Sequence, residues 1–170
     1  FRAQHGFPLV DPSGVTFVWH GDAEQVLLRC WVSGLPATQP FTRHADTALW
    51  FLHLELPAGS RIEYKFEVIR HGHGTWIVDP LNPVHANDPY GANSVCQGWG
   101  YERPEWTQHD PQARRGTLDE FRIDSQAFGG TRPVRLYVPA RFRRTRRYPL
   151  LVVHDGDDYL RYAAIGTVLD

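Results

Sequence analysis

Histidine and aspartate residues cluster at two places in this 170-residue chain, and each cluster has donor types that can hold a metal ion. His71 and His73 form an H-x-H pair, which can bind a metal from one face of a strand. They lie in a Gly-rich segment with no third ligand nearby, so an exposed turn is the favoured interpretation. The run from residue 154 to 158 (HDGDD) lacks the alternating ligands and the distal glutamate of a calcium loop. The sequence therefore predicts no metal site.

Serine is the residue type that a hydrolase uses as a nucleophile. In the G-x-S-x-G elbow, a glycine on each side lets the chain turn sharply from strand to helix. None of the five serines has both glycines: Ser13, Ser33, Ser60, Ser94 and Ser125. The sequence thus offers no nucleophile of this kind.

The charge of the chain and the length of its apolar runs argue against two classes of partner, nucleic acids and membranes. Five arginines lie between residues 141 and 147 and could bind an anion, but a solvated loop between two strands is the favoured interpretation. The formal net charge of the whole chain is -1, which is unlike a general nucleic-acid binder. The uninterrupted apolar runs are far shorter than a membrane-spanning helix. We therefore expect no nucleic-acid partner and no membrane partner.

Residues 1–98 have the pattern of β-strands, so a site in this region would be held by strands and the turns between them. The segment at residues 61–70 (RIEYKFEVIR) alternates apolar and polar residues, as a strand with one buried face does. Breakers such as HGHG at residues 71–74 separate the runs and predict tight turns. Many short strands with regular turns predict a β-sandwich over residues 1–98. The other predicted strands are residues 15–20, 25–32, 48–56, 75–78 and 93–96.

The sequence pattern changes after residue 98. Residues 99–115 have aromatic residues and prolines without a period, which predicts a linker. Residues 117–128 and 133–138 predict two strands joined by Gly129 and Gly130. Residues 150–153 (LLVV) predict a strand buried on both faces of a parallel sheet, and residues 157–170 predict a helix. Residues 116–170 therefore read as the beginning of an α/β domain.

Two sets of motifs resemble known families. Residues 64–68 (YKFEV), 76–80 (WIVDP) and 90–95 (YGANSV) resemble early-set immunoglobulin-like domains, which include the glycogen-binding modules. Residues 1–9 (FRAQHGFPL), 15–21 (VTFVWHG) and 79–107 resemble the N-terminal region of enterochelin-esterase-like proteins. In that family the sandwich precedes an esterase D-type α/β-hydrolase domain. The segments RPVRLYVPARF and YPLLVVHDGDDYL in residues 116–170 are similar to its second and third strands.

The resemblance implies a fold and an activity. The fold is mainly β, with an early-set immunoglobulin-like sandwich followed by an incomplete α/β-hydrolase domain. The parent protein is then a serine ester hydrolase in the cytoplasm that acts on a small-molecule ester, such as a siderophore, without a cofactor. By this resemblance the loop at Gly156 and Asp157 supplies backbone N–H donors to the oxyanion hole. The nucleophile and the triad histidine would lie after residue 170, so we expect this chain alone to be inactive.

The resemblance to glycogen-binding modules implies an alternative function, carbohydrate binding or a purely structural role. Lys65, Trp76 and Asn93 correspond to positions that face sugar in those modules. The chemistry would be stacking of an aromatic ring on a pyranose face, with hydrogen bonds from the lysine and the asparagine. Leu35 takes the place of the second platform tryptophan, which leaves one platform.

The sequence also bears on the N-terminus, the assembly and the redox state of the chain. The chain begins with Phe1 and contains no methionine, so we expect a processed or truncated N-terminus. An apolar strand at residues 150–153 without neighbours would pair with another chain, which predicts a homo-oligomer or swapped dimer. Cys30 and Cys96 are too few for a disulfide scaffold, and one bridge and two buried thiols stay open as alternatives.

Overall fold

The computed structural model describes residues 6–32 and 34–170. Ser33 and residues 1–5 lie outside the described residues, and with them part of the motif at residues 1–9. The chain divides into two compact units, Phe1–Glu102 and Arg103–Asp170. Strands hold 43% of the residues and helices 9%, so the predicted mainly-β class is confirmed. The division between the units falls inside residues 99–115, where the sequence predicts a linker.

Two antiparallel sheets build the first unit. The strands in the described part of this unit are β1 Leu9–Asp11, β2 Gly14–His20, β3 Gln25–Cys30, β4 Thr38–Pro40, β5 Thr42–Arg43, β6 Leu49–Leu54, β7 Arg61–Arg70, β8 His73–Ile77, β9 His85–Asp88 and β10 Gly91–Gln97. One sheet has the strand order β1-β2-β6-β5, and the other has the order β4-β3-β7-β10-β9, with β8 also paired to β7.

The core lies between the two sheets. The apolar residues of β7 alternate with polar ones, and Tyr64 and Phe66 on its inner face are fully buried. The Phe17 ring of β2 meets the Tyr64 ring edge-on, with 4.8 Å between centroids. Because each sheet contributes one apolar face to this cluster, the predicted β-sandwich is confirmed.

A two-residue turn joins β7 to β8. Arg70 pairs with His73, so His71 and Gly72 form the loop, and both have positive φ, 50° and 72°. This is the conformation that a tight hairpin requires. The carboxylate of Glu24 accepts the backbone N–H groups of His71, at 2.9 Å, and Gly72, at 3.1 Å. The turn brings β8 back alongside β7, with which it pairs in the second sheet.

The two cysteines cannot form a disulfide in this fold. Cys30 of β3 and Ser94 of β10 both pair with Tyr64 of the strand between them. Strands two places apart in a sheet are separated by roughly 9–10 Å, whereas the Cα atoms of a disulfide lie within about 7 Å of each other. Both thiols are free and buried.

The second unit contains a 3₁₀ turn, a hairpin and two short helices. A 3₁₀ turn, Glu105–Thr107, comes first. Strands β11 Thr117–Ser125 and β12 Gly130–Val138 pair along their whole length, from Thr117↔Val138 to Ser125↔Gly130. Helices α1 Gly156–Tyr162 and α2 Ile165–Leu169 follow.

Two predictions for the second unit are wrong. Residues 150–153 form no strand, and Leu150 is 83% exposed. A parallel strand needs hydrogen-bonding neighbours, and the described residues of this unit place none beside it. The single helix predicted over residues 157–170 is broken at Ala164, whose φ of 48° is left-handed.

Candidate functional site

The three residues predicted to face sugar lie on neighbouring strands of the second sheet. Lys65 is on β7, Trp76 is on β8 and Asn93 is on β10. Tyr64 and Ser94 point into the core, so their neighbours Lys65 and Asn93 face the opposite, outer side. Trp76 is 46% exposed, and Lys65 has no ion pair within residues 6–32 and 34–170. The fold thus brings the predicted residues to one face.

A second tryptophan, Trp31, also lies on this face, whereas the sequence analysis placed Leu35 at the second platform position. Trp31 lies beside Trp76 with 6.0 Å between ring centroids and 43° between ring planes. Its side chain is 69% exposed. Trp31 directly follows the buried Cys30 at the end of β3, so alternation along the chain turns it outward. That alternation is the sequence signal that identifies Trp31. We call Trp31 and Trp76, with Lys65 and Asn93, the aromatic face.

Arg29 fixes the Trp76 ring, and sequence reasoning missed this residue. The guanidinium lies over the ring at 5.4 Å from its centroid. Its Nε donates to Oε2 of Glu67 at 2.6 Å, and its other nitrogens contact Glu67 and Thr38. Arg29 also pairs with Lys65 across β3 and β7. Two cations therefore lie next to each other on the aromatic face, and one carboxylate partly balances them.

A cleft adjoins the tryptophan pair. Its volume is about 650 Å³, and Trp31, Glu63, Asp88 and Asn93 contribute to its wall. Asn93 is buried, and its amide nitrogen donates to Glu63 Oε2 at 3.2 Å and to Asp88 Oδ2 at 2.8 Å. The aromatic face and this cleft together offer stacking surface, positive charge and one carboxamide, which suits a ligand rich in hydroxyl groups.

The predicted oxyanion donors lie in the second unit, at the start of α1. Asp155 has a left-handed φ of 55°, and its carbonyl accepts the N–H groups of Asp158 and Tyr159. Over the described part of the chain, the N–H groups of Gly156 and Asp157 make no hydrogen bond. Arg135 of β12 holds the Asp157 carboxylate at 2.7 Å from its Nε. The turn thus presents two unused donors.

These donors border a hollow of about 1240 Å³ within the second unit. Hairpin residues such as Leu118 and Tyr137 line one side, and residues 148–158 line another. Oxyanion stabilisation needs such donors beside a reacting carbonyl, together with a nucleophile. Ser125, the serine of this unit, has its hydroxyl engaged by the N–H of Phe128 and contacts no histidine. Among residues 6–32 and 34–170, the hollow therefore has backbone donors but no serine or cysteine in its lining.

The side chains of the remaining candidates line neither the cleft nor the hollow. His71 belongs to the β7–β8 turn, and the arginines at residues 141–147 lie in an exposed loop. The part of the chain that the structure describes contains no group of three or more metal-ligating side chains suited to a metal ion. Within the same residues, no helix has both the length and the apolar character needed to cross a bilayer.

Comparison with known proteins finds no matching family model and no matching curated protein. Solved structures of enterobactin esterases do match in fold. The ferric enterobactin esterase of Salmonella typhimurium superposes with a TM-score of 0.61 and 18% identity, over 95% of this chain and 50% of that one. The Shigella flexneri enterobactin esterase gives 0.55 and 21% in the presence of 2,3-di-hydroxy-N-benzoyl-serine, and 0.54 and 22% in the presence of enterobactin. The Shigella comparisons cover 91% of this chain and 46% and 47% of the esterase.

The likeness extends over both compact units. The chain therefore has an enterobactin-esterase-like fold, and it spans about half the length of the solved esterases that it matches. The expected resemblance to enterochelin esterases is confirmed at the level of the fold.

Proposed function

We propose that this chain is part of a serine ester hydrolase that cleaves a small-molecule ester of the siderophore class. The observation that carries the proposal is the fold likeness to enterobactin esterases, which runs through 95% of the chain. One of those structures was determined in the presence of enterobactin. The chain spans half of such an enzyme, so the activity belongs to a protein that includes more residues than these 170. The site of action is the cytoplasm.

The second unit contributes the oxyanion hole in this proposal. A serine hydroxyl, activated by histidine, attacks the ester carbonyl, and the carbonyl oxygen becomes an oxyanion. The N–H groups of Gly156 and Asp157 then donate to that oxygen. Collapse of the tetrahedral intermediate expels the alcohol, which takes a proton from the histidine, and water releases the acid in a second round. The serine and the histidine come from residues outside this sequence.

The test uses the protein encoded by the complete reading frame that contains this sequence, with enterobactin as substrate. D157P removes the backbone donor, and proline is tolerated in the first turn of a helix. D157A is the matched control, because it keeps the N–H and removes the carboxylate held by Arg135. We expect D157P to lower kcat by roughly 10²–10³-fold and D157A to change it only a few-fold. Equal activity of the two variants would overturn the assignment of this donor.

A second function is favoured by one observation, the pairing of Trp31 with Trp76. We propose that the aromatic face binds an α-glucan. Two exposed indole rings 6.0 Å apart give a platform for the apolar face of a pyranose ring. Lys65 provides a donor for ring hydroxyls, and Asn93 provides an amide. This arrangement has the second platform residue that the sequence alone did not assign.

Retention on immobilised glycogen tests this second function. W31A and W76A remove the two platforms, and F51A removes an exposed aromatic side chain from the outer side of the other sheet. We expect each tryptophan variant to lose at least about tenfold in retention, as loss of one stacked ring predicts, while F51A behaves like the parent. The glucan proposal fails if the parent chain itself is not retained.

A further inference from the structure

The orientation of the Asn93 carboxamide is determined by the two carboxylates that its nitrogen faces. Its Nδ2 lies 2.8 Å from Asp88 Oδ2 and 3.2 Å from Glu63 Oε2. A carboxylate accepts hydrogen bonds and donates none, so the nitrogen, and not the oxygen, must face both acids. Both N–H bonds of the amide are thereby used. The amide oxygen Oδ1 points away from the two acids.

Each of the two acids is itself held by a second donor. Arg61 Nη1 donates to Glu63 Oε1 at 3.0 Å. The backbone N–H of Tyr90 donates to Asp88 Oδ1 at 2.7 Å. Neither carboxylate can rotate away from Asn93 without losing this other bond. We call Glu63 and Asp88 the carboxylate clamp.

With both N–H bonds of the Asn93 side chain bound to the carboxylate clamp, its amide oxygen is the side-chain atom that can still accept a hydrogen bond. Among the described residues no group donates to Oδ1, and this oxygen is not fully buried. Oδ1 therefore reaches the cleft that Trp31, Glu63, Asp88 and Asn93 line together. A ligand that meets this oxygen must bring a hydrogen-bond donor, since a ligand acceptor would leave both oxygens unpaired.

We propose that Glu63 and Asp88 are positioning residues, which orient Asn93 so that its Oδ1 accepts a hydroxyl of the glucan stacked on the aromatic face. This inference rests on the proposed glucan binding. Stacking on an indole ring gives affinity with little directional preference, whereas a fixed acceptor selects one hydroxyl. The clamp thus sets specificity, and the tryptophans set affinity.

Isothermal titration with β-cyclodextrin and its permethylated form tests the clamp. The permethylated ligand keeps the apolar sugar faces but has no hydroxyl to donate. We expect the parent chain to bind β-cyclodextrin about tenfold more tightly than the permethylated form, as one hydrogen bond predicts. E63A and D88A should reduce this ratio towards one, and E63Q, which keeps an acceptor for Asn93, should restore most of it. W31A should weaken both ligands and leave the ratio unchanged.

The ratio separates positioning from a merely structural role, because a partly unfolded variant binds both ligands less well by the same factor. If the ratio is one in the parent chain, or if E63A and D88A leave it unchanged, the clamp inference is overturned while glucan binding stands. If the parent chain binds neither cyclodextrin, the proposed glucan function fails, and the clamp inference fails with it.

Discussion

Asp79 is the acidic side chain that the fold places deepest in the first unit. It is 1% exposed, Tyr64 donates its phenol hydrogen to Oδ2 at 2.7 Å, and the Leu81 N–H donates to Oδ1 at 2.8 Å. Ser94 Oγ accepts the N–H of Asp79, and Asn82 donates to the Tyr64 hydroxyl. Burial raises the pKa of Asp79 above its ordinary value, although these hydrogen bonds oppose the change. The network ties the segment after β8 to β7 and β10.

The raised pKa of Asp79 makes its contribution to stability depend on pH. The folded state holds this proton more tightly than the unfolded state, so the contribution is largest at about pH 4 and below, near the unfolded pKa. It is lost as the pH rises through the folded pKa. We expect the free energy of unfolding of the parent chain, relative to D79N, to fall as the pH rises from 4. Urea unfolding at a series of pH values measures this difference. A difference that grows with pH would show that the hydrogen bonds outweigh burial.

Burial makes both thiols of the first unit unreactive in the folded chain. Burial, followed by the nearby charge of Asp79, raises the pKa of Cys96 to about 12, and burial also raises the pKa of Cys30. The reactive thiolate is therefore scarce at pH 8. We expect both cysteines to resist a disulfide reagent such as 5,5′-dithiobis(2-nitrobenzoate) in the native chain and to react within minutes in guanidinium chloride. Rapid reaction of either thiol under native conditions would contradict the buried positions.

Strand β7 illustrates which elements the sequence could predict. Its ten residues were predicted with both boundaries correct, because a strand with one buried face has a strict two-residue period and Tyr64, Phe66 and Val68 follow it. Trp31 lies inside the strand predicted at residues 25–32, but it was missed as a platform because the resemblance to glycogen-binding modules assigned the second platform position to Leu35. The strand prediction for residues 150–153 was wrong because a continuous apolar run has no period that distinguishes a strand from other conformations. Its conformation depends on neighbours, which lie elsewhere in a sequence.

Gly14 at the start of β2 leaves no room for a side chain against strand β6. Gly14 has a φ of 148°, and a Cβ built there would lie 2.2 Å from the carbonyl oxygen of Leu54 on β6. We expect G14A to lower the free energy of unfolding by about 3 kcal/mol, since both the backbone conformation and the sheet contact are strained. Gly6 has open space around its Cβ position, so G6A is the matched control. Urea unfolding compares the two variants, and equal stability would show that β2 and β6 do not pack as described.

At the scale of the whole molecule, the two compact units differ in how well they bury apolar side chains. The first unit has a core of buried residues from both sheets. Across Arg103–Asp170, by contrast, none of the described side chains is buried, and Leu150, Leu151 and Val152 are each at least 66% exposed. Contiguous exposed apolar surface of this kind is typical of interaction sites. Within the second unit, no other segment covers the apolar side chains of residues 150–152.

This exposure predicts self-association of the 170-residue chain. We expect light scattering to give a mass above that of a monomer, rising with concentration, because a second copy can bury the exposed apolar side chains at residues 150–152. L150E/L151E should shift the chain towards monomer. F51A changes an exposed apolar residue of the first unit and should leave the association unchanged. A monomer at millimolar concentration would contradict the prediction.

Release of acid from enterobactin, followed by pH-stat titration, tests the proposed ester hydrolysis, since each hydrolysed ester yields one carboxylic acid. We predict turnover by the protein encoded by the complete reading frame and none by the 170-residue chain. Turnover by the 170-residue chain alone would mean that the nucleophile lies within it. Absence of turnover by the complete protein would mean that the fold likeness to enterobactin esterases does not extend to their chemistry.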